Sequence, residues 1–139
     1  MRVLVALVFL LGCTATALPE RVPATHGLEA GNGTSLTVTL VVNGAALRVI
    51  PPGESAVVPV GELPLLPYVV EARSPRGRLL TSMTVRAGDI RETTTPIGAR
   101  QYSSAAVRVD LSCGRLDIWS GFPMLGPPPG PGKPGDCDP

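Results

Sequence analysis

The order of apolar and polar positions divides the chain into an apolar leader, an aperiodic stretch, a long region of period two and a proline-rich tail. Val3 to Leu11 is unbroken apolar sequence. As a helix, such a run reaches only about 13 Å, against a hydrocarbon core of about 30 Å. It is too short to span a membrane and has the length of the apolar core of an export signal. Residues 14–33 follow neither the helical nor the strand period and read as a tether. A flexible tether of that size spans on the order of 25 Å. From Ser35 the period is two. Leu36, Val38, Leu40 and Val42 alternate with Thr37, Thr39 and Val41, which predicts a half-buried strand. Asn43-Gly44 then predicts a tight hairpin, because both central positions of such a turn need positive φ.

Further strands are expected at Ala46–Ile50, Ser55–Val60, Tyr68–Arg73, Arg78–Val85, Ala105–Cys113 and Arg115–Ser120. Proline and glycine punctuate them: Pro51-Pro52-Gly53-Glu54, a proline-bounded crossover at Gly61–Pro67 whose leucines cap the core, and the turn Ser74-Pro75-Arg76-Gly77. Arg91 to Ser104 is polar and threonine-rich and reads as a longer loop. On the sixth strand Ala105, Val107, Val109, Leu111 and Cys113 face one way, Arg108 and Asp110 the other. About seven short strands spaced by turn signals, with no amphipathic helix of three turns, predict an all-β antiparallel sandwich. The expected organisation is a signal peptide at 1–12, a tether at 13–34, the β-sandwich at 35–121 and a Pro/Gly-rich arm at 122–139.

The leader ends in Leu10-Leu11-Gly12-Cys13, which resembles the lipobox of bacterial lipoproteins. The resemblance covers the signal alone. It implies cleavage before Cys13, lipid on the Cys13 sulfur and a place on the cell envelope. A second cleavage reading stays open: Ala15-Thr16-Ala17 is an A-x-A site that would release a soluble, secreted or periplasmic chain. Both readings export the protein. Of the three cysteines, Cys13 is lipidated or discarded, so Cys113 and Cys137 remain as a pair in an oxidising compartment. A disulfide between them would fasten the arm to the end of the sixth strand. The strand, Asn-Gly, strand, Pro-Pro-Gly pattern over about residues 35–90 is similar to small exported sandwiches of immunoglobulin or PEGA type. That likeness carries no functional residues.

Composition then narrows the function. Twelve Lys plus Arg against eleven Asp plus Glu leave the chain near neutral, which argues against nucleic acid as a partner. His26, the one histidine, falls in the tether, where a catalytic triad has no rigid support. No metal or other cofactor is expected: two cysteines without neighbouring histidines favour a disulfide over zinc. Asp110, Asp117, Asp136 and Asp138 match no calcium-loop spacing. Asn32-Gly33-Thr34 fits the glycosylation sequon but, beside a bacterial-type lipobox, reads as chance. Tyr102, Trp119, Phe122, Met124 and Leu125 form the candidate binding patch, whose bland alternative is packing of the arm on the sandwich. The sequence thus points to a non-enzymatic envelope lipoprotein, held to the membrane by its anchor and binding another envelope protein or serving a structural role. The alternative is a carbohydrate- or small-ligand-binding sandwich that stacks its ligand on Trp119 and Tyr102.

Overall fold

The computed structural model describes residues 18, 20–123 and 132–138. Among them, ten strands run in chain order: β1 (Leu28–Asn32), β2 (Val38–Val42), β3 (Ala45–Ile50), β4 (Ser55–Val58), β5 (Tyr68–Arg73), β6 (Leu79–Val85), β7 (Arg91–Thr94), β8 (Arg100–Ser103), β9 (Ala105–Leu111) and β10 (Gly114–Ser120). One antiparallel sheet has the order β4-β1-β10-β9, the second β3-β2-β5-β6, and β7 pairs with β8 as a separate ribbon. The expected antiparallel sandwich is the architecture found. Its order differs from that of immunoglobulin constant domains, since β1 pairs with β4 and β10 and not with β2. The immunoglobulin likeness therefore holds at the level of a two-layer antiparallel sandwich.

Alternation builds the core. Leu28 and Ala30 of β1 and Leu116 and Ile118 of β10 are fully or almost fully buried, as are Val38, Leu40 and Val42 of β2 and Tyr68, Val70 and Ala72 of β5. Side chains two residues apart share a face, so each central strand delivers one apolar row to the space between the sheets. The hairpin at Asn43-Gly44 forms as its sequence requires, with φ of 48° and 83°.

Four expectations need correction. First, the tether is shorter than 13–34: β1 occupies Leu28–Asn32 in the interior of the first sheet, and the Leu66 amide already donates to the Val22 carbonyl at 2.8 Å. Only one of the core-facing residues of β1, Leu28, is large, so its period-two signal was weak. Second, the loop at Arg91–Ser104 is the ribbon β7–β8, whose eight strand residues are all exposed and offer no apolar row to reveal it. Third, β4 stops at Val58 and a 3-10 turn follows at Val60–Glu62; of the crossover leucines, Leu66 is buried while Leu65 is exposed. Fourth, Cys113 lies in the turn joining β9 to β10, beyond the end of the strand, and β10 is a full interior strand.

Cys113 and Cys137 form a disulfide with their Cα atoms 6.0 Å apart. Residues 132–138 lie beside the seam between β6 and β9. The Arg78 guanidinium, just ahead of β6, donates to the carbonyls of Asp136 and Asp138, the latter at 2.8 Å. A Cβ on Gly132 would fall 1.9 Å from the Ser112 nitrogen, so the arm approaches the β9–β10 turn backbone to backbone. The arm thereby ties the first sheet to the second.

The same end of the sandwich holds a buried polar hub. Asn32 is 1% exposed, and its Nδ2 donates to the carbonyls of Leu36 (2.7 Å), Ile50 (2.9 Å) and Pro51 (3.1 Å). Its Oδ1 accepts from the Thr34 amide (3.1 Å) and hydroxyl (2.6 Å). One side chain thus links the end of β1 to the segments that begin β2 and end β3. The sequon Asn32-Gly33-Thr34 is a structural element, because a glycan on Nδ2 would displace these bonds.

Candidate functional site

The opposite end of the sandwich gathers the start of β1, the start of β5, the end of β6, the root of the ribbon and the end of β10. Ser104 fixes the root: its hydroxyl donates to the Phe122 carbonyl at 2.8 Å and accepts from the Phe122 amide at 2.9 Å. The Ser103 hydroxyl donates to the Asp89 carbonyl at 3.0 Å. Tyr102 on β8 stacks on Phe122 with ring centroids 4.2 Å apart and tilted by 45°. His26 approaches this pair, its ring centroid 6.5 Å from that of Phe122. Of the candidate patch, then, Tyr102 and Phe122 are brought together, and a residue read as tether joins them. Cys13, Met124 and Leu125 lie outside the described residues.

Beside His26 is a small cavity of about 20 Å³, lined by His26, Leu66, Tyr68, Val85, Ile90 and Ser120 among others. That is room for one water-sized group. Tyr68 is 1% exposed, and its Oη makes no hydrogen bond of good geometry. Burial pushes the phenol above its ordinary value of 10.0, and the nearby Ser120 hydroxyl, which donates to the Gly27 carbonyl, offsets part of that rise. A raised tyrosine pKa favours the folded state while the phenol is neutral. Its contribution is present in full below about pH 10 and is lost as pH climbs through the higher folded value. Tyr68→Phe should therefore leave stability at pH 7 within about 1 kcal/mol of wild type. It should also flatten the alkaline loss of stability above about pH 10. Chemical denaturation at pH 7 and at pH 11 reads both, and a large loss at neutral pH would show that the hydroxyl has a partner.

Trp119 sits elsewhere. It occupies the outer face of the first sheet, opposite Glu29 of β1 and Ala106 of β9. A Cβ on Gly31 would come within 4.0 Å of its ring, and its Nε1 is buried without a hydrogen-bond partner. Beside it on that face, Asp117 pairs with Arg108, and Asp110 accepts from Arg115 at 2.7 Å. These carboxylates are held by guanidinium groups, which accounts for two of the four aspartates weighed as calcium ligands. Asp136 accepts from the Lys133 amide within the arm. Trp119 and Tyr102 do not act as one stacking platform, since a face of Tyr102 is taken by Phe122.

Sequence reasoning missed His26, Tyr68 and Ser120 as members of one end. Each belongs to a different segment, and only the closure of the sandwich makes them neighbours. No protein-family profile, characterised protein or solved structure matches the chain, so its function has to be read from its own geometry.

Proposed function

We propose that the chain is a non-enzymatic, lipid-anchored module of the cell envelope whose sandwich binds another envelope protein. The carrying observation is an asymmetry between the two seams of the sandwich. The β6–β9 seam has the arm and the disulfide beside it. At the β3–β4 seam, Arg48 donates to the Val57 carbonyl at 3.2 Å and pairs with Glu62 at 2.7 Å, yet Val49 is 64% and Val57 58% exposed. Edge strands normally carry lysine, proline or a cover that prevents pairing with another chain. β3 and β4 carry neither lysine nor proline within their bounds and display aliphatic side chains, which suits a partner's strand or apolar patch. The lipobox-like leader and the disulfide support export and anchoring.

A photo-reactive amino acid at Val57, introduced in the living cell, tests this. The expected result is one adduct of defined mass in the membrane fraction, reduced by Val49→Lys and shifted to the soluble fraction by Cys13→Ser. Absence of any adduct, or an adduct indifferent to Val49→Lys, would count against the partner. A soluble wild-type chain beginning at Leu18 would count against the anchor.

A second reading, a carbohydrate- or small-ligand-binding sandwich, is favoured by Trp119, set across Gly31 on a sheet face beside paired charges. Quenching of that single tryptophan by a soluble sugar panel would select it.

A further inference from the structure

We propose that the ribbon β7–β8 is a membrane-contact finger, its apex at Ile97 meeting the lipid surface when the chain is held through Cys13. The proposal rests on the lipid-anchor reading and adds which end faces the bilayer and what touches it.

The first support is where the ribbon is rooted. Among the described residues, Glu20 already borders Pro67, Arg86 and Ala87. The Val22 carbonyl is bound by the Leu66 amide, and residues 24–26 line the same small cavity as Gly88 and Ile90 at the ribbon root. A Cβ on Gly121 would lie 2.8 Å from Ile90 Cγ2, so the root is packed tightly against the end of β10. The N-terminal segment and the ribbon therefore share one end. The disulfide, Asn32 and the turn at Ser74–Gly77 occupy the other.

Lengths make the second argument. Cys13 to Val22 is nine residue steps, at most about 32 Å of chain even if fully extended. From Arg91 to the apex is six steps, about 20 Å of ribbon. At anything less than full extension of the linking residues, a finger of that length closes most or all of the remaining gap. The short linker is what decides this: with a tether of twenty residues, the sandwich would have much more freedom to turn its ribbon away.

The third is the chemistry of the finger. All eight strand residues of the ribbon are exposed, and the contacts it makes with the sandwich lie at its root, where Tyr102 stacks on Phe122 and Ser103 bonds Asp89. Ile97 at the tip is 91% exposed, and Tyr102 on the shaft is 49% exposed. An aliphatic tip above a tyrosine is the order of groups met on passing from acyl chains to headgroups. The charges nearby balance in number, Arg91 and Arg100 against Asp89 and Glu92, and Arg100 pairs with Glu92 at 3.3 Å. The contact is thus apolar and indifferent to anionic lipid. One isoleucine binds too weakly to hold a protein by itself, which suits a second contact beside a covalent anchor.

The experiment uses the mature chain from Cys13 to Pro139, with a diacyl lipid attached chemically to the Cys13 thiol. The chain is reconstituted in phosphatidylethanolamine–phosphatidylglycerol vesicles that contain shallow nitroxide lipids. An environment-sensitive fluorescent amino acid is placed at Ile97 or, as the far-end control, at Arg76. Quenching at position 97 should exceed that at position 76 by about three-fold or more and be unchanged by salt. Equal quenching at the two positions, or none at 97, would overturn the proposal. A blue shift at 97 that grows with protein density but is not quenched would also overturn it, in favour of contact with a second copy. Because the lipid is supplied chemically, cellular acylation is read separately, from the intact mass of the natural protein. Lack of an acyl group there removes the anchor reading without being mistaken for failure of the finger.

Discussion

Replacing Asn32 with alanine is expected to destabilise the sandwich by about 3 kcal/mol or more, a large share of the stability of a domain this size. The substitution leaves three carbonyls, of Leu36, Ile50 and Pro51, and the Thr34 amide without their shared partner in a buried place. The Pro51 carbonyl keeps the Glu54 amide as a donor. Each of the other groups costs about 1–3 kcal/mol if left unmade, and partial relaxation or water access keeps the sum below the simple total. Asn32→Asp should be comparably harmful for another reason: an acceptor would then face acceptors, with a charge in a buried site. Thr34→Val removes one hydroxyl and should do less. Urea denaturation of the three variants gives the order directly. An Asn32→Ala protein as stable as wild type would mean that the hub is incidental.

Cys137→Ser should cost about 3 kcal/mol, with Cys113→Ser similar. The sulfurs close a loop of 24 residues in sequence separation, and loop-closure entropy alone would give about 3–4 kcal/mol. Prolines in the intervening segment already restrict the unfolded chain, which lowers that figure. Loss of the Arg78 contacts to Asp136 and Asp138, once the arm is free, works in the opposite direction. The check is denaturation of oxidised wild type, reduced wild type and the two serine variants, which should fall into two groups. Intact mass after alkylation without reductant adds an independent reading. Two labelled thiols in the folded monomer would refute the crosslink.

Most of the sandwich was legible because its interior strands obey period two with large side chains. β2 and β5 are the clearest cases, and Asn43-Gly44 marked β3 as the hairpin partner of β2. β1 was not legible. Its inward residues are Leu28, Ala30 and Asn32, and the last is polar because it serves hydrogen bonds that exist only after both sheets form. The ribbon was missed for the reverse reason, having no buried apolar row. Cys113 and Cys137 were found by arithmetic on the cysteines, a signal independent of strand boundaries, so the misplaced end of β9 did no harm. Of the candidate patch, Tyr102 and Phe122 are neighbours, but adjacency in sequence also put Trp119 with Phe122, whereas alternation along β10 and past its end sends them to separate surfaces. Tyr68 looked like any inward strand residue. Its unusual feature is a hydroxyl without a hydrogen-bond partner, and that is a property of its surroundings.

The place of β1 in its sheet also has a mechanical meaning. If the chain is held at its N-terminus, tension would enter the sandwich through the segment around Val22 and then β1. That strand is flanked on both sides, by β4 and by β10. Its ladders run from Leu28 opposite Ser120 and Val58 to Asn32 opposite Leu116, along the direction of the strand. Load applied along β1 would therefore strain two rows of hydrogen bonds together, in shear, where an edge strand would peel one bond at a time. Asn32, the last residue of β1, adds its hydrogen-bonded hub at the far end of the strand. A sandwich built this way is suited to carrying force from a tether.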